Sequence, residues 1–259
     1  MGRDGRARVQ SAATDIGTGT YTIATQVAAE LLGLDVSRVD VAIGDTEMPP
    51  APQSGGSGLA IALCGAIDNA AANLRRKLQA LGGSNGESYV EVLERHGLNE
   101  LTADGQVMGY PQPTGMAPSP PFAAQFAEVH IDADLGLLRV ARLVTVVDGG
   151  RILNEKLARS QVRGGVIMGI GMAMFEETIF DATGRVANGT FADYLIPVNA
   201  DVPDIDVVFV GEPDRVNAIG IKGIGEIGTI GVAAAIGNAV YHATGRRFRS
   251  LPITIDQLL

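Results

Sequence analysis

The stretch Ile221–Gly231 (IKGIGEIGTIG) sets a single carboxylate, Glu226, among glycines and apolar residues. Few polar side chains nearby would compete with that carboxylate, and the apolar context predicts that it lies near buried surface. Burial of a carboxyl group is one way in which proteins prepare a general base. The alternative, from the pattern alone, is a solvated loop glutamate. The chemistry that this stretch suggests is proton abstraction by Glu226.

Glycine is unusually abundant and is concentrated in four clusters. The chain has 34 glycines in 259 residues, against roughly 7 % in an average protein. The clusters are Gly17–Gly19, Gly55–Gly58, Gly164–Gly171 and Gly220–Gly231. Grouped glycines let the backbone come close to a ligand or to another element, and they present N–H groups to anions. The clusters therefore predict close backbone contacts at four places.

The composition excludes several classes of partner and site. Apolar residues make up 46 % of the chain, so it can bury a core. A net charge of −9 disfavours phosphate backbones, and we expect no nucleic-acid partner. Cys64 is the only cysteine, and His96, His130 and His242 have no ligand spacing. The chain therefore cannot itself supply a disulfide framework, a cysteine-held iron–sulfur cluster or a zinc site.

No segment has the pattern of a membrane or export signal. Residues 1–14 lack the apolar region of a signal peptide. The apolar stretch Gly165–Phe175 is too short to cross a bilayer. We expect a cytoplasmic location and no membrane partner.

The order of predicted elements repeats from the first half of the chain to the second. The first half contains a strand at 7–14, a helix ending at Gly33, a strand at 39–43, a glycine-rich loop at 44–58 and a helix ending at Gly82. The second half contains a hairpin (125–132 and 138–147), a helix from the Asn154 cap to 175, a β-rich excursion at 177–195, a strand at 205–210 and a helix at 229–243. Ser88 and Glu91 predict a capping box between these halves.

This order predicts an α+β fold with two similar lobes, each with a small mixed sheet and packed helices. We place the lobes at 1–110 and 124–259, with a Pro-rich connection at 111–123. Asp4-Gly5 is a good hairpin turn that lacks a preceding strand, which predicts that the first lobe is truncated. Ordinary N-terminal coil is the alternative interpretation of that turn.

Six short segments occur in an order that matches a known family. They are Asp15–Thr22 (DIGTGTYT), Ser54–Ser57 (SGGS), Ser160–Gly165 (SQVRGG), Ala192–Asp201 (ADYLIPVNAD), Lys222–Gly228 (KGIGEIG) and Ala239–Thr244 (AVYHAT). In these segments the chain resembles the molybdenum-binding subunit of the xanthine dehydrogenase/aldehyde oxidase family of molybdenum hydroxylases. The family subunit is much longer, so the resemblance implies that this chain is its C-terminal part.

The resemblance assigns roles to individual residues. Glu226 falls on the family's active-site glutamate, the general base, and Gln161 falls on a glutamine beside the molybdenum. No side chain of this chain is implied as a direct molybdenum ligand, because the pterin holds the metal. The implied cofactor-binding residues are Gly17, Thr18, Gly19, Gly55, Gly56, Ser57, Gly58, Leu59, Gln161 and Gly225. Some family members have glutamine at the position of Thr18.

The implied reaction is hydroxylation of an aldehyde or an N-heterocycle such as a purine, with water as the oxygen source. The implied cofactor is molybdenum-molybdopterin, with the cytosine dinucleotide form as one variant. The 2Fe-2S and FAD groups are expected on partner chains only. The expected partners are the missing N-terminal half of the subunit, iron–sulfur and FAD subunits, and a small aldehyde or heterocycle substrate. Export with a partner subunit would place the protein in the periplasm instead of the cytoplasm.

Two other classes of function stay open from the sequence. The first is a non-catalytic truncated fragment or structural subunit that retains the fold without the reaction. The second is a stand-alone nucleotide-binding module that uses the glycine loops. Fold-level kinship by itself does not establish function.

Overall fold

The computed structural model describes residues 1–83, 87–107 and 120–259. Most of the predicted Pro-rich connection at 111–123 lies outside the described residues. The chain divides into two compact units. The first consists of Met1–Pro120, Gly150–Leu157 and Glu212–Gly223, and the second of Pro121–Gly149, Ala158–Gly211 and Ile224–Leu259. The lobe boundaries at 1–110 and 124–259 stay a prediction.

The first unit is built on a parallel strand pair and two long helices. Its elements are β1 (Ala7–Ser11), α1 (Thr20–Leu32), β2 (Val39–Ile43), α2 (Leu59–Ala80) and α3 (Tyr89–Arg95). β1 and β2 pair in parallel, with Ala7 opposite Val39. α1 buries Ala24, Val27 and Ala28, which recur at helical spacing and face the core.

Local signals in the sequence determine where these helices begin and end. α1 stops where Gly33 adopts a left-handed conformation with φ 66°, which costs glycine little. α3 begins with the predicted capping box, in which the Ser88 and Glu91 side chains satisfy backbone N–H groups. Both predictions are confirmed.

The second unit is built on a mixed three-stranded sheet. The second half of the chain forms β3 (Phe122–Asp132), β4 (Leu137–Asp148), α4 (Glu155–Met174), β5 (Asp204–Val210), α5 (Ile227–Ile230), α6 (Val232–Thr244) and α7 (Ile255–Leu258). The strand order is β3-β4-β5, with β3 antiparallel and β5 parallel to β4. Val162, Val166 and Ile170 of α4 pack with Val232 and Ile236 of α6 in one buried cluster.

The predicted α+β class is confirmed, and each half of the chain has the order strand, helix, parallel strand, loop, helix. Two details of the prediction are wrong. The excursion at 177–195 is not rich in strands, because the described residues there form one isolated bridge, Phe180 with Val186. The last helix is not continuous, since α5 ends at Ile230, Gly231 caps both helices, and α6 begins at Val232. None of the helices within residues 1–83, 87–107 and 120–259 combines the length and the hydropathy that a membrane span requires.

Candidate active site

The loop that carries Glu226 lies directly on α4 in the second unit. A Cβ at Gly228 would lie 2.6 Å from the carbonyl oxygen of Val162. A Cβ at Gly165 would lie 3.0 Å from the Cα and the carbonyl carbon of Gly228. The separation at Gly228 is too short for a Cβ, and the separations at Gly165 are tighter than an ordinary contact, so two backbones meet here at glycine positions. Gly165 of SQVRGG and Gly228 of GEIG thus allow the close approach of helix and loop.

Glu226 lies at the start of α5 and is exposed in this chain. Its carbonyl oxygen accepts a hydrogen bond from the Thr229 N–H at 3.1 Å. The expectation that Glu226 lies near buried surface is therefore wrong for its side chain. The reason is that Ile224 and Ile227, on either side, pack against the apolar core and leave the carboxylate on the outer side of the loop.

Gln161 is brought to the same loop. It is half-buried on α4, and its Nε2 donates a hydrogen bond to the Gly225 carbonyl oxygen at 2.6 Å. Of the residues predicted for the site, the structure thus brings Gln161, Gly225 and Glu226 together in the second unit. This arrangement fixes the backbone immediately before Glu226.

Residues 17–19 form the turn into α1 in the first unit. Gly17 and Gly19 have φ of 98° and 84°, a region that side-chain-bearing residues rarely adopt. The Asp15 carboxylate accepts hydrogen bonds from the backbone N–H groups of Gly17 at 2.9 Å, Gly19 at 3.1 Å and Tyr21 at 3.3 Å. Asp15, named above only within the segment Asp15–Thr22, thus stabilises the turn, and an acidic residue before a glycine turn and a helix is a capping signal.

The environment of Asp15 favours its charged form. Burial raises the pKa of this carboxyl group, but hydrogen bonds from the backbone at Gly19, Gly17, Tyr21 and Thr20 lower it more, so the net pKa lies below its ordinary value of 3.8. The carboxylate also compensates the positive end of the α1 dipole. The negative charge of Asp15 therefore stabilises the turn at residues 17–19.

We predict that Asp15→Ala destabilises the chain by about 1 kcal/mol at neutral pH, as removal of a capping side chain does. Because the folded-state pKa is lowered, this contribution is complete above pH 3.8 and is lost as the pH falls through the folded pKa. Urea unfolding of both proteins as a function of pH measures the difference. Asp45→Ala, which removes one carboxylate bond to the Glu47 N–H in an exposed turn, is the control. A pH-independent difference would contradict the assignment.

Residues 55–59 lead into α2 in the first unit. Gly56 and Ser57 have φ of 59° and 58°, and among the described residues Ser57 is the only non-glycine with a positive φ. α2 has 22 residues, its N-cap Gly58 makes no side-chain cap, and its first turn holds no acidic residue. A helix start of this kind favours an anion. These residues therefore fit a phosphate-bearing group.

The other end of the Glu226 loop packs on this segment. A Cβ at Gly223 would lie 2.4 Å from the Ser57 carbonyl oxygen, so only glycine allows this approach within the first unit. In the first unit Ser57 lies against Gly223, and in the second unit Gln161 is hydrogen-bonded to Gly225. Each unit therefore contains one contact between two of the segments that the family resemblance singled out.

The remaining candidates for metal and thiol chemistry are few. Across residues 1–83, 87–107 and 120–259, no group of three His, Cys, Asp or Glu side chains is arranged to hold a metal ion. Cys64 is buried in α2, and desolvation raises its pKa to about 12. Its thiol is therefore protonated at neutral pH and belongs to the core.

Comparisons with known proteins point to one family. The model of the molybdopterin cofactor-binding domain matches residues 1–203. The aldehyde oxidoreductase molybdenum-binding subunit PaoC of Escherichia coli (strain K12) is 38 % identical over 278 residues, which cover 99 % of this chain and 37 % of the relative. The putative xanthine dehydrogenase molybdenum-binding subunit XdhA of the same strain is 34 % identical over 284 residues, or 100 % of this chain and 38 % of the relative.

The fold is also similar to a solved enzyme. The aldehyde oxidoreductase from Desulfovibrio desulfuricans superposes with a TM-score of 0.86 at 25 % identity, covering 100 % of this chain and 29 % of that chain. The chain thus spans little more than a third of the length of the relatives that it matches.

Proposed function

Because the chain belongs to the molybdopterin cofactor-binding domain family, we propose that it is the C-terminal portion of the catalytic subunit of a molybdenum hydroxylase. Its substrates would be aldehydes or N-heterocycles such as purines, with water as the oxygen source. The observation that carries the proposal is the loop at 225–228. This loop presents the exposed Glu226 carboxylate from a backbone held on α4 and hydrogen-bonded to Gln161.

The residues of this chain then have separate tasks. When bound, the molybdenum–pterin group supplies the metal centre and the two-electron redox chemistry. The Glu226 carboxylate takes up the proton that the water-derived nucleophile loses. Gln161 orients the loop and faces the cofactor. Gly17, Thr18 and Gly19 approach the pterin, and residues 55–59 hold a phosphate at the start of α2.

We propose the dinucleotide form of the cofactor, with a cytosine nucleotide, because residues 55–59 offer a helix start suited to an additional phosphate. The 2Fe-2S and FAD groups belong to partner chains in this proposal. The single cysteine, Cys64, is buried in the core and one thiolate cannot ligate a cluster that needs four. We place the assembly in the cytoplasm, with the periplasm as the alternative if a partner carries it there.

Exposed hydrophobic side chains on the second unit support a protein partner. The segment 179–198, which we call the apolar segment, exposes large hydrophobic side chains, and Phe191 is 99 % exposed. The exposed members are Ile179, Phe180, Val186, Phe191, Leu195, Ile196 and Val198. Surfaces of this kind mark interaction sites. Since about two thirds of the length of the relatives lies outside this chain, we assign the remainder of the molybdenum-binding subunit as the occupant.

We predict that the purified chain self-associates and binds hydrophobic dyes through the apolar segment. Phe191→Ser is expected to shift the chain towards monomer in sedimentation velocity without lowering its stability, because the exposed ring makes little contact with the core. Val36→Ser, at an exposed valine of the first unit, is the control and should leave association unchanged. A monomeric chain that binds no dye would show that this surface needs no partner.

The test of the proposed function is a chimera in which this chain replaces the matching stretch of PaoC. We expect the chimeric subunit to retain molybdenum and to oxidise an aldehyde. A chimera that folds and assembles but contains no molybdenum would overturn the proposal. A chimera that binds molybdenum but oxidises neither an aldehyde nor a purine would favour the alternative function, a non-catalytic fragment. That alternative is based on the short span of this chain, which covers 37 % of PaoC.

A further inference from the structure

A second glutamine holds the loop of Glu226. Gln125 lies on β3 opposite Thr145 of β4. Its Nε2 donates a hydrogen bond to the Gly228 carbonyl oxygen at 2.8 Å, and lies 3.3 Å from the Thr145 Oγ1. Thr145 is fully buried. The amide of Gln125 therefore connects the sheet to the residue that follows Glu226 by two positions.

The orientation of this amide follows from its surroundings. A carbonyl oxygen only accepts hydrogen bonds, so the nitrogen of the amide must face Gly228. The other atom, Oε1, is buried and has no hydrogen-bond partner within the part of the chain that the structure describes. An unsatisfied buried acceptor costs free energy that an apolar side chain of similar size would avoid. In return for the free energy lost at Oε1, Gln125 provides a hydrogen-bond donor, Nε2, for the Gly228 carbonyl oxygen of the loop.

The neighbouring glycine makes room for this side chain. A Cβ at Gly231 would lie 2.4 Å from the Gln125 Oε1. The backbone of Gly231 has φ −98° and ψ −5°, which any residue can adopt, so its lack of a side chain is needed for space and not for conformation. Gly231 and Gln125 thus form one contact at the junction of α5 and α6.

We propose that Gln125 is a positioning residue for Glu226. Gln161 binds the carbonyl of Gly225 on one side of Glu226, and Gln125 binds the carbonyl of Gly228 on the other. Two amide donors from two different elements, α4 and β3, therefore fix the short backbone that carries the carboxylate. The role of Gln125 in positioning Glu226 rests on the proposed function, whereas the hydrogen bond by which Gln125 holds the loop does not.

Hydrogen exchange of the intact chain tests the hold on the loop. We expect Gln125→Met, which keeps the bulk and removes the donor, to lower the protection of the Thr229 amide and its neighbours by about 2- to 10-fold, the effect of one net hydrogen bond. The amides of β3 and β4 should keep their protection. Thr145→Val removes the other polar neighbour of the same amide without touching the loop, so it should leave loop protection unchanged. Unchanged loop protection in Gln125→Met would overturn the proposal.

Gly231→Ala provides an independent variant. Its methyl group should displace the Gln125 amide and loosen the loop in the same way. In a Gln125→Ala background the methyl group has space, so the two effects should not add. Additive effects would show that Gln125 and Gly231 act separately, which would contradict the contact.

Turnover separates the positioning role from the proposed function. In the chimeric subunit, Gln125→Met should lower turnover by about 10- to 100-fold at unchanged molybdenum content, as a small misplacement of a reacting group does. A loosened loop with normal turnover would overturn the positioning role. Full activity of a Glu226→Gln chimera would overturn the catalytic role of Glu226 and with it the positioning role of Gln125. A chimera that assembles without molybdenum would overturn the proposed function alone, because the exchange measurement does not depend on catalysis.

Discussion

Glu226→Gln in the chimeric subunit is expected to abolish most of the turnover while molybdenum stays bound. The amide keeps the shape of the side chain and most of its hydrogen bonding, but it cannot accept the proton. Loss of a general base lowers the rate by about 10²–10⁴-fold, and the loss should appear in the rate constant of the chemical step, measured in single-turnover experiments. Because Glu226 is exposed in this chain, the substitution should leave the stability of the chain unchanged.

The control for this variant is Glu212→Gln, which makes the same change at an exposed glutamate of the first unit. It should keep normal turnover. Normal turnover in Glu226→Gln, with normal molybdenum content, would mean that the reaction has another base and that Glu226 is a bystander.

Gln161→Ala should behave differently from Glu226→Gln. Its Nε2 holds the Gly225 carbonyl at 2.6 Å, so the variant loses orientation of the loop and not the proton acceptor. We expect reduced molybdenum retention together with reduced turnover. A Gln161→Ala subunit with full molybdenum content and a pure defect in proton transfer would contradict the role assigned to Gln161.

Gly228→Ala is expected to have the largest effect on structure. Its Cβ would lie 2.6 Å from the carbonyl oxygen of Val162, and the neighbour is helix backbone that cannot move aside. Forcing a methyl group into a packed contact costs about 1–3 kcal/mol. The loop must then move away from α4, and displacement of a reacting group by about 1 Å can lower the rate about 10²-fold. Both effects can be measured, by urea unfolding of the chain and by turnover of the chimera.

Gly164→Ala is the matched control, because it adds the same methyl group to α4 with nothing within 4 Å. A glycine inside an exposed helix is destabilising by roughly 0.5–1 kcal/mol relative to alanine, so this control should stabilise the chain. The two substitutions are thus expected to have opposite signs. Stabilisation by Gly228→Ala would show that the loop does not rest on the helix.

The order of the elements and many of their ends follow from local signals in the sequence. The α1 stop at Gly33, the capping box of Ser88 and the Asn154 cap of α4 all follow from interactions within a few residues. Such short-range chemistry is readable without the fold, because the partners of each backbone group are fixed by local spacing. The family resemblance rested on short motifs for the same reason.

The surroundings of Glu226 depend on long-range contacts that no local pattern encodes. Periodicity could not separate Gly165 of α4, which contacts Gly228 of the loop, from its neighbour Gly164, which faces open space, since both lie in the same run RGG. The apolar segment at 179–198 carries several large hydrophobic side chains, yet these are exposed, because the hydrophobicity of a sequence does not say whether the core or a partner covers a side chain. Gln125 went unnoticed for the same physical reason: its partner Gly228 is 103 residues away, and only folding brings that carbonyl to its amide.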